Sequence, residues 1–469
     1  MSAPSAAPPT APPGRVSPWV WAVAGLAIRI FYRVERIGGT LPRGPLLLVA
    51  NHPNTLADPA LIQATAGRTV RFLAKSTLFA DHVVSPLIRR SGAIPVYRRM
   101  DPGVDTSRNV ETFAAVRAAL EAGEAVCLFP EGKSHAAGRL EPLRTGAARM
   151  VLAGGRPVTL VAVGLNFSRL ARFRSRVTAV FGRPFEAEDL RVAGAADAGA
   201  ADAGAADAVR RLTERIEERL RHLMIEAEPR LDLPIVERVD RLYTAARGVS
   251  RDPRERVGRR RLIARGIEAL RARDPERLAE IVARVDDYDA NLGRFGLRDR
   301  DLDREVPVAA AVRFAVREGA LALLLAPLAI LTLAVFAVPY WITGEFARRA
   351  PDIQSRATWQ LLAGAVSYPT WIGVVAATIG AGAGMPAGLL SVPGLAVLAL
   401  GGMGAVEREV SVLRTVRAFR ALRRTPAEAR AALHRQRAAI ADVLDRAREW
   451  LDEPARSAVN PASPSDRPR

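Results

Sequence analysis

Three textures of apolar and polar positions follow one another along the 469-residue chain, and each predicts a different architecture. From about Val34 to Leu190, short apolar runs alternate with helix-length amphipathic stretches, the pattern of an α/β domain. Pro45–Ala50, Val70–Leu73, Ala93–Val96, Ala125–Phe129, Thr159–Val163 and Val177–Phe181 read as strands, with helices expected at 59–66, 82–91, 107–122 and 145–153. From Val209 to about Arg304, Arg and Glu dominate at a helical period, and Leu212, Ile216, Leu220 and Leu223 share one stripe. That predicts a charged, cytoplasmic helical segment whose i,i+4 charge pairs form a solvated face. Two later runs, Gly319–Ile342 and Ala357–Val406, contain no charge at all.

As one helix the first run would reach roughly 36 Å at ~1.5 Å per residue, against a hydrocarbon core ~30 Å thick. The second is too long for one crossing and is interrupted between Gly380 and Pro386, so helices are expected near Leu361–Ala383 and Ala387–Val406. Tyr340, Trp341, Trp359 and Trp371 suit membrane interfaces. The expectation is an integral membrane block, 306–406, of two to three spans. Neither run holds an ionisable residue to line a pathway, which disfavours transport.

The rest divides by composition. Residues 1–15 are Pro/Ala-rich and read as a disordered tail. Residues 16–33 carry Trp19, Trp21, Ile28, Ile30 and Phe31, broken by Arg29. Their uncharged run falls short of the ~18 residues of a crossing and predicts an interfacial membrane helix. It begins late and lacks a clean cleavage site, so a signal peptide fits poorly. An Ala/Gly/Asp hexad repeat marks 191–208 as a linker between the 34–190 domain and the 209–305 helical segment. Residues 407–469 form a basic helical tail in which Arg414, Arg417, Arg420 and Arg424 recur at helical spacing, suited to an anionic leaflet.

Charge adds a choice of partner. Lys and Arg number 68 against 49 Asp and Glu, a net charge of +19, which points to nucleic acid, acidic lipid or phosphorylated substrates. The uncharged runs favour lipid over nucleic acid. The single Cys127 excludes an intramolecular disulfide and any cysteine-based metal framework. Three crossings would put the 34–190 domain and the arginines of 408–424 on opposite sides, against the positive-inside tendency. An even number reconciles them, with a stretch such as Gly319–Ile342, which holds Pro327 and Pro339, re-entrant or interfacial. A C-terminal reporter is then expected in the cytoplasm.

Three segments carry candidate chemistry. Asn51-His52-Pro53-Asn54-Thr55-Leu56-Ala57-Asp58-Pro59 follows directly on the strand PLLLVA. A strand end delivers His52 to the sheet rim, and a polar turn lets Asp58 fold back onto the imidazole, which makes a general base. The plainer alternative is that Asp58 and Pro59 are an N-cap and first helical residue. In Gly92-Ala93-Ile94-Pro95-Val96-Tyr97-Arg98, a strand ends in an arginine able to grip a phosphate bidentately, or simply a surface arginine. In Phe129-Pro130-Glu131-Gly132-Lys133-Ser134-His135, Pro130 stops a strand and Gly132 allows close backbone approach. Glu131 is there either a functional carboxylate or a solvent-facing turn residue. Cys127 lies inside an apolar strand and reads as packing. His82, His222 and His434 show no partner.

Together, in this order and spacing, the three segments resemble the glycerophospholipid acyltransferase family, which includes glycerol-3-phosphate and 1-acylglycerol-3-phosphate acyltransferases. The family's first block is His, four residues, Asp. Here Asp58 lies one residue later, in the form NHPNTLADP, which resembles the branch with fungal-type glycerol-3-phosphate/dihydroxyacetone-phosphate acyltransferases. GAIPVYR and FPEGKSH match the second and third blocks; Thr159–Asn166 resembles the fourth, with Ala162 where proline is common. Lys75 in FLAKSTLF and Leu143–Arg149 also fit. The resemblance covers residues 34–190 and implies an α/β catalytic domain with a mixed sheet, followed by the helical segment and C-terminal transmembrane helices.

It implies His52 as general base and Asp58 as its orienting partner. Arg98, Glu131, Gly132, Gly92, Lys75 and Ser134 would bind substrate, with His135, Asn51 and Asn54 behind them. The acceptor hydroxyl would attack the thioester of acyl-CoA or acyl carrier protein directly, with no acyl-enzyme, metal or cofactor. The implied partners are that acyl donor, a glycerol phosphate or lysophospholipid acceptor and anionic membrane lipids, without nucleic acid. Expected is an enzyme of phospholipid synthesis in a bacterial inner membrane, its catalytic domain cytoplasmic, with glycerol-3-phosphate slightly favoured as acceptor. The competing class is a membrane lipid-binding or scaffold protein with a degenerate form of the same fold.

Overall fold

The structure is a computed structural model that describes residues 16–81, 84–101, 103–153, 157–190, 198–303 and 308–459. The expected tail at 1–15, the first part of the repeat linker and His82 lie outside the described residues. The chain divides into two units. The first runs to Pro229 and also takes in Gly344–Ala363; the second comprises Arg230–Thr343 and Gly364 onward.

In the first unit the order is α1 (Pro18–Phe31), β1 (Tyr32–Ile37), β2 (Leu46–Ala50), α2 (Ala57–Ala66), β3 (Val70–Lys75), α3 (Ser85–Arg90), β4 (Ile94–Val96), α4 (Asn109–Glu121), β5 (Ala125–Leu128), α5 (Gly146–Leu152), β6 (Thr159–Phe167), β7 (Ser175–Phe181) and α6 (Ala198–Arg221). The strands form one seven-stranded mixed sheet in the order β1-β7-β6-β2-β5-β3-β4. All pairs are parallel except β6 with β7. β2 is central, and its uninterrupted apolar run follows from burial on both faces. Leu46, Leu48 and Ala50 pack with Ile28, Leu61 and Cys127, while Leu47 and Val49 pack with Val126, Leu160 and Leu212. This alternation is the strand period of two.

Every strand read from the sequence is present; β1 is an addition. Its sequence YRVERI mixes three charged with three apolar residues at the sheet edge, where only part of it is covered. The Leu212, Ile216 and Leu220 stripe is fully buried against that second face of the sheet. α6 therefore belongs to the sheet unit, and the later part of the hexad repeat is its first turns.

In the second unit and the adjoining segments come α7 (Asp232–Arg247), α8 (Pro253–Arg273), α9 (Pro275–Arg294), α10 (Asp299–Leu302), α11 (Val308–Val335), α12 (Ala337–Arg348), α13 (Ile353–Ala383), α14 (Met385–Arg424) and α15 (Ala427–Val459). Charged helices pair through ion contacts, such as Asp240 held by Arg259 at 2.6 Å and Arg260 at 2.8 Å. Among the described residues, three helices are long and apolar enough to cross a membrane, in Val316–Val335, Ile353–Ala383 and Met385–Arg424.

The expected single helix over Gly319–Ile342 is instead divided at Phe336 between α11 and α12. Pro339 has no N–H for the carbonyl of Val335, and the indole Nε1 of Trp371 donates to that carbonyl at 2.6 Å. Between α13 and α14 the break is at Gly384, whose φ of 94° ends the helix. α14 then continues without interruption through the expected end of the membrane block into the basic stretch, where Arg414, Arg417, Arg420 and Arg424 are all exposed.

Candidate active site

Parallel strands of one sheet end on the same side, so residues that follow β2, β5, β3 and β4 meet along one rim. In that order the rim carries His52, Glu131 with Gly132, Lys75 and Arg98. Lys75 is the register partner of Val96 and so stands beside the segment leading to Arg98.

The loop after β2 is fixed from both sides. Asn51 bridges β2 to β6, its Oδ1 accepting from the Leu165 N–H at 2.7 Å and its Nδ2 donating to the Leu165 carbonyl at 3.1 Å. Asn54 is fully buried, and its Nδ2 donates to the Tyr32 hydroxyl at 2.8 Å. Beyond it, α2 starts with Leu56 as N-cap and no side-chain cap. Asp58 is therefore a first-turn residue, not the N-cap. Its Oδ2 accepts from the Asn54 backbone N–H at 2.7 Å and lies 2.8 Å from His52 Nδ1. Asp58 has no exposed surface, whereas the His52 side chain is 19% exposed.

This geometry separates the two ring nitrogens of His52. The Asp58 carboxylate holds Nδ1 as the donor, and among the described residues Nε2 has no protein partner. Phe129 stacks on the imidazole with centroids 3.9 Å apart and planes 12° apart. Burial pushes the Asp58 carboxyl above its ordinary range, opposed by the His52 and Asn54 hydrogen bonds. A positive charge developing on His52 would relieve that penalty.

Glu131 is buried, and both its oxygens are occupied. Oε1 accepts from the His52 backbone N–H at 2.8 Å, and Oε2 accepts from the Glu141 N–H at 2.9 Å while also meeting His135 Nε2. His135 N–H in turn donates to the His52 carbonyl at 3.0 Å. The FPEGKSH loop thus clasps His52 through its backbone. Glu131 holds the His52 backbone in place here; it does not face solvent as a turn residue would.

Arg98 is also engaged. Its Nε and Nη2 donate to the two oxygens of Asp101 at 2.9 and 2.8 Å, and Nη1 donates to the Gly132 carbonyl at 2.9 Å. The hydrogen bond from Arg98 holds the Asp101 carboxyl below its usual range, and Lys75 adds to the effect. Gly132 has φ 74°, a conformation that puts its carbonyl in reach of Arg98 and disfavours any side chain. Ser134 is half-buried in the same loop.

Gly92 is not brought to this rim. It precedes β4 while Arg98 follows it, so the strand separates them. A Cβ on Gly92 would come within 2.6 Å of Val16 Cγ2, and its φ is 73°, so its part is in the turn and its packing. Cys127 is buried within β5 with its thiol pushed up by desolvation. His222 and His434 do have contacts: His222 Nδ1 lies 2.7 Å from the Glu218 carbonyl, and His434 Nδ1 lies 3.7 Å from Asp303. Tyr32 and Glu141 carried no signal in the sequence, because each acts through a partner distant along the chain or through a backbone N–H; Asp101, three residues from Arg98, had a local spacing that could have shown it.

Residues 33–164 match the family model described as Acyltransferase. A chloroplastic 1-acyl-sn-glycerol-3-phosphate acyltransferase of Brassica napus is 29% identical over 147 residues, 30% of this chain and 41% of that protein. Glycerol-3-phosphate O-acyltransferase 1 of Saccharomyces cerevisiae is 29% identical over 177 residues, 37% of this chain and 22% of its own length. The chain thus spans less than half the length of either relative. A crystal structure of the 1-acyl-sn-glycerophosphate acyltransferase from Thermotoga maritima shares 18% identity and a TM-score of 0.28, covering 43% of this chain and 80% of that one. With its mixed sheet and matched motifs, the segment 33–164 is an acyltransferase-family domain.

Proposed function

We propose that the chain is a membrane-bound O-acyltransferase of phospholipid synthesis. It moves a fatty acyl group from acyl-CoA or acyl carrier protein to a hydroxyl of glycerol-3-phosphate or 1-acylglycerol-3-phosphate. The observation that carries this reading is the 2.8 Å contact of His52 Nδ1 with the buried Asp58, which leaves Nε2 free at the rim. An acceptor hydroxyl gives its proton to Nε2 as its oxygen forms a bond to the thioester carbonyl carbon. The C–S bond then breaks, and the thiolate takes the proton back from the imidazolium. Asp58 stabilises the imidazolium and fixes the tautomer. A thioester is already activated, so positioning and one base suffice, and no acyl-enzyme, metal or cofactor enters the reaction.

Lys75, Arg98, Gly132 and Ser134 line the rim beside His52 and are the proposed acceptor-binding set. Because Asp101 already occupies one edge of Arg98, the acceptor phosphate meets its remaining Nη protons, with Lys75 as a second charge. Glu131, His135, Asn51 and Asn54 position the base. Helices long and apolar enough to cross a membrane support a membrane location; we assign the chain to a bacterial inner membrane, with the catalytic unit and the C-terminus on the cytoplasmic side. Purified protein is assayed for CoA release with palmitoyl-CoA and glycerol-3-phosphate, dihydroxyacetone phosphate or 1-acylglycerol-3-phosphate. Turnover on glycerol-3-phosphate or 1-acylglycerol-3-phosphate supports the proposal, with glycerol-3-phosphate expected to be best. Release with none of the three would leave a lipid-binding or scaffold role.

A further inference from the structure

We propose that only two of the three long apolar helices, α13 and α14, cross the membrane. α11 turns back: with α12 it forms a re-entrant hairpin seated in a single leaflet, the one on the side of α7–α10. The partner of the hairpin's outer face is the acyl-chain layer of that leaflet. The hairpin presupposes the membrane location proposed above and is independent of acyl transfer.

The second unit returns the chain to the side from which it left. Leu433 and Ile440 of α15 share a core with Val239, Leu242 and Tyr288 of the helices before the apolar block. The Tyr243 hydroxyl donates to Asp445 at 2.8 Å, and Asn291 donates to Gln436 at 3.1 Å. Three crossings would put α15 opposite the helices it packs on. α11 and α14 run antiparallel, since Arg408 donates to Glu318 at 2.6 Å while Thr332 donates to the Leu398 carbonyl at 3.4 Å. α13 and α14 are antiparallel as well, turning at Gly384 so tightly that a Cβ on Gly388 would come within 2.9 Å of Gly380 Cα. α11 and α13 therefore point the same way.

α12 points against them. The Val335 carbonyl accepts from Trp371, Phe336 stacks on Tyr368 with centroids 5.8 Å apart, and a Cβ on Gly364 would lie 3.7 Å from Thr343 Cγ2. Positions that rise along α12 meet positions that fall along α13, so the chain reverses at Phe336. That reversal is shallow. Trp371 precedes Gly384 by ~20 Å of helix rise, so Phe336 stops well short of the α13–α14 turn. From Phe336 to Glu345, the first charge on α12, the rise is ~14 Å, about half of a ~30 Å hydrocarbon core.

Backbone that leaves a helix at such depth must be covered by protein. Phe336 and Pro339 are buried, and the Trp371 indole occupies the carbonyl left at the break. Val338, Tyr340 and Trp341 are exposed on the same short helix and form the face for lipid, with the aromatic pair nearer the headgroups. Charge placement agrees. Arg317, Arg348, Arg349 and Arg408 all fall at the near side, and the turn from Gly380 to Pro386 holds no charge.

The test places single cysteines in the full chain carrying Cys127→Ala and applies a membrane-impermeant maleimide to spheroplasts or to inverted vesicles, with labelling after denaturation as the control. Arg349→Cys and Leu413→Cys are expected to take label from one side, the cytoplasmic face exposed in inverted vesicles, and Met385→Cys only from the other. Val338→Cys is expected to stay unlabelled from both sides until the membrane is dissolved. Labelling of Arg349→Cys from the Met385 side would show that α11 crosses and overturn the hairpin; labelling of Val338→Cys in intact vesicles would overturn its insertion. Arg348→Cys gives the same reading should Arg349→Cys fail to accumulate. CoA release is followed on the same vesicles: a contrary labelling pattern with CoA release intact refutes the hairpin alone, and the expected pattern without CoA release refutes the acyltransferase reading alone.

Discussion

The hydroxyls of Thr55 and Thr358 hydrogen-bond across 303 positions of sequence, so the first turns of α13 touch the loop that carries His52. Thr55 Oγ1 also lies 3.3 Å from the Gln354 carbonyl, and Ala357 is fully buried in the core that backs β2. Thr55 has φ 38°, an uncommon backbone state for a β-branched residue that its surroundings must hold in place. The start of an apolar helix long enough to cross a membrane is thus a structural part of the sheet unit.

Thr358→Val removes the hydroxyl partner of Thr55 while keeping the volume. We expect kcat to fall about fivefold, the size of one hydrogen bond of ~1 kcal/mol, with KM for the acceptor nearly unchanged. Thr358→Ser restores it. A matching rise in KM would place Thr358 in substrate binding instead.

Gly132→Ala tests the backbone that carries the Arg98 contact. A Cβ there meets only the flexible Arg144 side chain, Cγ at 3.5 Å and Nε at 4.0 Å, so space is adequate, and the cost is the left-handed φ of 74°. That is about 1–2 kcal/mol for an L-residue. The outcome expected is a lower melting temperature together with a raised KM for the phosphate-bearing acceptor, measured by thermal unfolding and steady-state kinetics.

Asp58→Asn separates stability from activity. Burial raises the folded-state pKa of Asp58 above its unfolded value, so the native state binds more protons between the two values. Stability from this group is therefore fully present below the unfolded pKa and is lost as pH rises through the folded one. Asn removes the titration. The melting temperature of the variant, compared with wild type, should gain steadily as pH is raised from about 4, while turnover at neutral pH drops. A difference that shrinks with rising pH would contradict the assignment.

Cys127 supplies a test of direct transfer. Because it is buried with its thiol pushed up, iodoacetamide should leave the native enzyme active, and Cys127→Ala should keep kcat at some loss of stability. Inactivation at one label per chain would point to a cysteine acyl-enzyme.

The sheet was legible because β2, β5 and β6 are short buried runs bounded by turn residues, and buried strands show as continuous apolar stretches. β1 was hidden by its charges, since an edge strand need not be apolar. The His52–Asp58 pair could be read because six residues and a turn bring it together locally. By contrast, no local pattern marks the Thr55–Thr358 contact or the occupation of Glu131 by three separate partners. Helices long enough to cross a membrane stood out as uncharged runs, yet the division at Phe336 depends on Trp371, which satisfies the carbonyl that Pro339 cannot. The period of Leu212, Ile216 and Leu220 showed that α6 has a buried face, but not that the sheet is what buries it.

The proposed role of His52 in taking the acceptor proton is decided by acyl-CoA-dependent CoA release from purified protein in glycerol-3-phosphate, wild type against His52→Ala, with matched melting curves. Removing a general base costs typically 10²–10⁴-fold, so His52→Ala should fall to within that range below wild type while remaining folded. Equal CoA release by the two proteins would show that the proton leaves by another route.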